Sequence, residues 1–239
     1  MSDLSVRLRY ASAQFFVAGG ISTSFTAVSA KVKNIAFTKE VAVLYGKGGT
    51  WNEDAMAWMA NFGDHDLFAH QVQEQIEECV IRFSADGQTF WDNNDGQNYQ
   101  FATVVNRAGG NVILNKATAK KGSEAGGGFV FTTSWLEGEI YVNNLSFAKE
   151  VAVRLSVDGG VSWQDRNATF SGFCTESNSI GGTGVELWKF KTPELNIDET
   201  SDEFMFAVFY RNLATGEVFW DNNFEQNYRV SKTDGSTVQ

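Results

Sequence analysis

Residues 31–43 read KVKNIAFTKEVAV and residues 141–153 read YVNNLSFAKEVAV, an offset of 110 positions. Further on, residues 90–99 read FWDNNDGQNY and residues 219–228 read FWDNNFEQNY, an offset of 129. Two matched pairs in the same order mean that the chain carries one unit twice. The offset grows by 19 between the pairs, so the second copy is longer, and much of the excess falls in the Gly- and Ser-rich stretch 175–184, which has loop composition. Upstream, VRLRYASA at 6–13 matches VILNKATA at 112–119, and ISTSF at 21–25 matches FTTSW at 131–135. Arg7 and Arg9 ahead of Phe15, Phe16 and Val17 imitate a secretory signal, but the match assigns 6–13 to a folded unit rather than to a leader. The expected domains are therefore 1–110 and 111–239, joined at Ala108, Gly109 and Gly110.

Within each copy the local pattern is that of strands. Residues 41–45, 80–83, 151–157 and 204–210 are short, β-branched or aromatic, and bounded by Gly, Asn or Asp. Gly48-Gly49, Asp86-Gly87, Asp95-Gly96 and Asp158-Gly159 supply hairpin turns, and Pro193 is the single proline. The expected fold is all-β, two tandem immunoglobulin-like β-sandwich domains. Only residues 68–78 pass as helical. Their counterpart 188–202 contains Thr192-Pro193 and has no helical period, so both read as a strand followed by a loop.

Composition narrows the function. The chain has 239 residues, 43% hydrophobic and 20% charged, which suits ordinary globular cores. A net charge of −10 repels phosphate backbones and anionic headgroups, so neither nucleic acid nor a membrane is an expected partner. The longest apolar run, 204–210, fits a buried strand and not a membrane span. Cys79 and Cys174 occupy non-equivalent places in the two copies, which reads as two reduced, buried thiols in a cytoplasmic protein.

Catalysis by a nucleophile or a metal needs histidine or cysteine constellations. His65 and His70 both fall in the first copy, and His70 aligns with Phe190, which reads as a strand histidine rather than a base. Glycoside hydrolysis needs two carboxylates across a cleft, and of the acids near the repeated motif only Asp92 and Asp221 recur. Residues 92–96, DNNDG, fail as a calcium loop because the glycine arrives one residue early and the second copy lacks it. The expectation is a protein without cofactor, without metal and without enzymatic activity.

The repeated motif is an aromatic, Asp-Asn-Asn, two variable residues, then Gln-Asn-Tyr. A flat indole beside several primary amides offers an apolar platform with donors and acceptors and no net charge, which suits a neutral, hydroxylated ring. Asn and Asp also build tight turns by bonding their own backbone, and Asp92 and Asp221 read as turn caps. Tyr99 and Tyr228 open the final strand, in a core or corner role at least as readily as in ligand contact.

Both copies resemble family 21 carbohydrate-binding modules, the starch- and glycogen-binding domains of fungal glucoamylases and of glycogen-targeting subunits of type-1 protein phosphatase. The residues that carry the likeness are VKNIAFTKEVAV with Trp51 and FWDNNDGQNY, and YVNNLSFAKEVAV with Trp163 and FWDNNFEQNY. The resemblance implies an α-glucan platform formed by Trp51 with Trp91 and by Trp163 with Trp220. It also implies ligand contacts from Asn93, Asn98 and Lys39, and from Asn222, Asn227 and Lys149. A second family site uses the aromatic two residues before the lysine, here Phe37 and Phe147 where the family often has Tyr. Loss of that hydroxyl favours Phe37 and Phe147 as core residues.

Asp95-Gly96 becomes Phe224-Glu225 in the second copy, so unequal affinities are expected, with Phe224 either a third stacking ring or a packing residue. Lys33 to Phe37 matches a phosphatase-docking pattern but reads as strand. The expected partner is an α-glucan polysaccharide or oligosaccharide. The alternatives are an adaptor recruiting a phosphatase or another glycogen-associated protein, and a structural protein with degenerate sugar sites.

Overall fold

The computed structural model describes residues 5–101, 106–126, 129–174, 184–196, 202–233 and 235–239. The Gly- and Ser-rich insertion at 175–183 lies outside them. Among the described residues the only helical element is a 3-10 turn at Gly109–Asn111, and no helix is long and apolar enough to cross a membrane. The chain divides into two compact units, Met1–Gly110 with Phe173–Val185, and Asn111–Gly172 with Glu186–Gln239.

The first unit is a sandwich of two sheets. One runs in the order Asn106–Ala108, Val6–Ala18, Ile21–Lys33, His65–Val72, Ala57–Asn61. The other runs Thr50–Ala55, Glu40–Lys47, Glu78–Ala85, Gln88–Asp92, with Tyr99–Gln100 also paired to Glu78–Ala85. Alternation decides what faces inward. Val41, Val43, Ile81 and Phe83 meet Leu8, Val28, Ala30 and Val32 in one core. Leu44, Glu53, Arg82 and Trp91 fall on the opposite, outward face.

The second unit repeats this design. One sheet runs Thr169–Phe173, Val185–Lys191, Phe129–Asn143, Val112–Gly126, Thr237–Val238. The other runs Gln164–Asn167, Lys149–Ser156, Glu203–Asn212, Val218–Asp221, with Tyr228–Ser231 also paired to Glu203–Asn212. Val151, Val153, Phe206, Val208 and Tyr210 are buried on one sheet, and Leu114, Leu136 and Ile140 are buried on the other. Even the irregularities repeat: the first long hairpin of each unit has a register shift, between Leu8 and Tyr10 and between Leu114 and Lys116. Residues 68–78 form strand and then loop, without a helix.

Three expectations need correction. Phe37 and Phe147 are not core residues, since each is 102% exposed. Both lie past the ends of their strands, at Lys33 and at Asn143, and out of phase with the buried Val32 and Val142, so neither strand carries them into the core. For the same reason Lys33 to Phe37 is not a continuous strand, and Ile35 is exposed as well. Of the two free thiols, Cys79 is buried but Cys174, just past the end of a strand, is only partly so.

Candidate functional site

Each repeated motif begins on a strand and turns sharply. Asp92 ends the strand Gln88–Asp92 with its side chain on the inner face, where its carboxylate accepts from the Leu8 amide at 2.5 Å and from the Tyr99 hydroxyl at 2.8 Å. Asp221 repeats this, accepting from the Leu114 amide and the Tyr228 hydroxyl, both at 2.7 Å. The first unit's carboxyl is pushed up from its ordinary value by burial, against the opposing pull of those hydrogen bonds. Both aspartates are thus internal posts that tie the turn to the first hairpin of their unit, at its bulge.

The asparagines between the posts shape the turn. Asn94, Asn98, Asn223 and Asn227 all have positive φ, which Asn tolerates better than other residues with a side chain. Asn93 and Asn222 cap the turn, their Oδ1 atoms accepting from the Gly96 amide at 3.0 Å and the Glu225 amide at 3.1 Å. Asn94 and Asn223 reach across to the carbonyls of Asn98 and Asn227. Asn98 is further held by Glu78 at 2.8 Å, whereas the position equivalent to Glu78 in the second unit is Met205. No side-chain hydrogen bond of Asn227 is found among the described residues.

Register places the tryptophans. Trp91 lies opposite Arg82, which lies opposite Ala42; Trp51 lies opposite Gly46, and Ala42 and Gly46 share one face of their strand. Trp51 and Trp91 therefore project from the same outward face, and they are 45% and 47% exposed. Gly46 sits beneath both Trp51 and Glu78, and it is Glu78 that a Cβ there would crowd, at 2.9 Å from its Cγ.

In the second unit Trp163, Trp220, Asn222 and Asn227 line one hollow of about 340 Å³ with Arg154 and Ala207. Trp163 follows a longer turn than Trp51. The Asp158 carboxylate gathers the Ser162 hydroxyl and the amides of Val161 and Ser162, and the indole nitrogen donates to the Gly160 carbonyl at 3.1 Å. Those bonds, the Ser162 hydroxyl first, hold the Asp158 carboxyl well below the usual carboxylate range. Trp220 packs tilted on Phe209 with ring centres 4.9 Å apart and is less open than Trp91.

The lysines lie elsewhere. Lys39 is buried, donating to Asn34 and pairing with Asp66 at 2.7 Å, and it lines a hollow of about 430 Å³ with Asn34, Phe37, Trp58, Asn61, Asp66 and Phe68. Lys149 repeats the arrangement, with Asn144 at 2.8 Å and Glu186 at 2.7 Å. The structure thus gathers Trp163, Trp220, Asn222 and Asn227, places Trp51 and Trp91 on one face, and assigns Lys39 to a separate hollow. Trp58, 58% exposed beside Phe37, was missed in the sequence. Its signal is the aromatic match with Phe170 at offset 112, the same offset that relates Trp51 to Trp163.

Open indoles flanked by primary amides can stack on the C–H face of a sugar ring while the amides bond its hydroxyls. An all-β unit bearing such a platform, present twice, has the build of a carbohydrate-binding module. Residues 111–231 match the carbohydrate/starch-binding module of family 21, and the chain belongs to that family. It is 35% identical over 106 residues to bovine protein phosphatase 1 regulatory subunit 3C, covering 43% of this chain and 31% of that protein. It is 31% identical over 105 residues to glucoamylase 1 of Rhizopus oryzae, covering 44% of this chain and 16% of that one. The chain spans under a third of the length of these relatives. Among solved structures, the starch-binding domain of Rhizopus oryzae glucoamylase, in complex with β-cyclodextrin and maltoheptaose, matches at 30% identity with a TM-score of 0.31, covering 41% of this chain and 93% of that one.

Proposed function

We propose that the chain binds α-glucans of the starch and glycogen type at two sites, one per repeat, and carries out no chemistry on them. The observation that carries this reading is the shared outward hollow of Trp163, Trp220, Asn222 and Asn227. Covering about 50 Å² of apolar ring surface at about 25 cal/mol per Å² contributes roughly 1 kcal/mol per indole. One platform is therefore weak, and two linked platforms on a polymer that repeats its epitope raise apparent affinity by about 10²-fold where the geometry permits.

Primary amides supply most of the polar groups of these turns, which suits a neutral polymer. The family match and relatives named for starch and glycogen chemistry support the same ligand. The hollow around Phe37 and Trp58 is a second place in the first repeat where a sugar can stack, with Lys39 and Asp66 as its polar floor. The repeats differ at Glu78 against Met205 and at Asp95-Gly96 against Phe224-Glu225, so we expect unequal affinities. The free cysteines support a cytoplasmic location.

Calorimetric titration of the whole chain with maltoheptaose tests the reading. Saturable binding that is lost in Trp163→Ala/Trp220→Ala on a Trp51→Ala/Trp91→Ala background supports it, and an absence of binding by the unmodified chain rejects it. A second reading, recruitment of a phosphatase to the glucan, is favoured by the exposed pair Ile35 and Phe37 outside any strand and by relatives named as phosphatase subunits. Capture of a type-1 phosphatase catalytic subunit by the chain, lost in Ile35→Ala/Phe37→Ala, distinguishes it.

A further inference from the structure

Arg154 stands on the outward face of the strand Lys149–Ser156 and lines the hollow between Trp163 and Trp220. Its guanidinium carbon lies 5.0 Å from the centre of the Trp220 ring. Nε and Nη2 each donate to Asp165 at 2.7 Å, a two-pronged bond that fixes the plane of the fork. A guanidinium has five N–H donors, and these two are the ones committed among the described residues.

The first unit reaches the same arrangement by another route. The position equivalent to Arg154 at offset 110 is Leu44, which cannot donate. The guanidinium comes instead from Arg82 on the neighbouring strand, directly opposite Trp91. Arg82 donates through Nη2 to Glu53 and through Nη1 to Ser84 at 3.2 Å. Glu53 and Asp165 are equivalent, being opposite Leu44 and Arg154. In the second unit the place of Arg82 is taken by Phe209, because Ala42 faces Arg82 as Ala152 faces Phe209. A carboxylate-held arginine thus neighbours the motif tryptophan in both repeats, with its guanidinium over the Trp220 ring in the second and opposite Trp91 in strand register in the first, although the two arginines come from different strands.

Stability does not account for this. Ion pairs as exposed as these contribute little to folding, so the carboxylate pairing by itself does not explain an arginine at both places. We propose that Arg154 and Arg82 are glucan-binding residues, whose free N–H edge donates to adjacent hydroxyl oxygens of a sugar stacked on Trp220 or Trp91. The paired carboxylate serves this role in two ways. It orients the fork, and it cancels the charge, so the site gains a strong donor without attracting anions in place of a neutral sugar. This rests on the glucan-binding reading above and deepens it.

Titration of the full chain with β-cyclodextrin tests the proposal, on a Trp51→Ala/Trp91→Ala background that confines binding to the second repeat. Arg154→Leu, which installs the residue found at position 44, is expected to weaken binding about tenfold. Arg154→Lys keeps the stem and the charge but loses the fork, and is expected to bind as weakly as Arg154→Leu while its unfolding midpoint stays at that of the background. Background-strength binding by Arg154→Leu, or by Arg154→Lys, overturns the proposal while leaving the glucan reading intact. If the background and the unmodified chain both fail to bind, the glucan reading falls and this inference with it.

Discussion

Tyr228 donates its hydroxyl to Asp221 at 2.7 Å across the turn that carries Asn222 and Asn227, and both residues are buried. Tyr99 and Asp92 make the same bond at 2.8 Å. The platform of each repeat is therefore suspended from its core. Tyr228→Phe strands part of a buried carboxylate and should cost about 1–3 kcal/mol in denaturant unfolding. It should also weaken glucan binding, because the turn loses its anchor. An unchanged midpoint together with unchanged affinity would show that the bond is dispensable.

The second turn holds Phe224 at φ 57° and Glu225 at φ 73°, where the first has Asp95 and Gly96. A non-glycine residue in this region costs roughly 1–2 kcal/mol. Glu225 is exposed, so Glu225→Gly should raise stability by about 1 kcal/mol, as read from urea unfolding. A drop in stability would mean that the Glu225 side chain makes a favourable contact outweighing its backbone strain.

Lys39 and Asp66 form a buried pair at 2.7 Å, each side chain 6% exposed. Asp66 is held below the usual carboxylate range even though burial acts the other way, because Lys39 and Asn61 both donate to it. Removing one partner leaves the other charge buried, so Asp66→Ala should cost about 3–5 kcal/mol in the first repeat. The double change Lys39→Met/Asp66→Leu should cost much less. Equal losses in the two variants would contradict a desolvation origin.

Asp158 is depressed by its turn hydrogen bonds, so it contributes stability above its unfolded value of 3.8 and loses that contribution as pH falls through the lower folded value. The second repeat should therefore lose unfolding midpoint on acidification from about pH 4 downward. Asp158→Asn cannot titrate there and should flatten that limb. An acid limb unaltered by the substitution would assign the loss to other carboxylates.

The repeat made the fold legible. Residues 41–45 and 151–157 are β-branched and aromatic as buried strands must be, and the Asp of FWDNNDGQNY and FWDNNFEQNY reads as a turn cap, whereas its bond to the Tyr seven residues on appears only in the structure. The exposure of Phe37 and Phe147 was not legible. The core reading rested on the hydroxyl that Phe lacks where the family often has Tyr, and that absence says nothing about where the strands end, at Lys33 and at Asn143. Arg82 and Arg154 could not be found by aligning the copies, since they occupy non-equivalent positions and meet their tryptophans only through sheet register. The resemblance alone put Lys39 and Lys149 among the ligand contacts, and their buried pairing with Asp66 and Glu186 depends on long-range contacts that a single chain of letters does not display.

Co-sedimentation with glycogen of the chain carrying Trp51→Ala, Trp91→Ala, Trp163→Ala and Trp220→Ala is the most direct measurement. The quadruple variant should stay folded, since all four indoles are solvent-facing at least in part, and should remain in the supernatant while the unmodified chain pellets. Pelleting of the folded variant to the same extent as the unmodified chain would show that the glucan is held elsewhere.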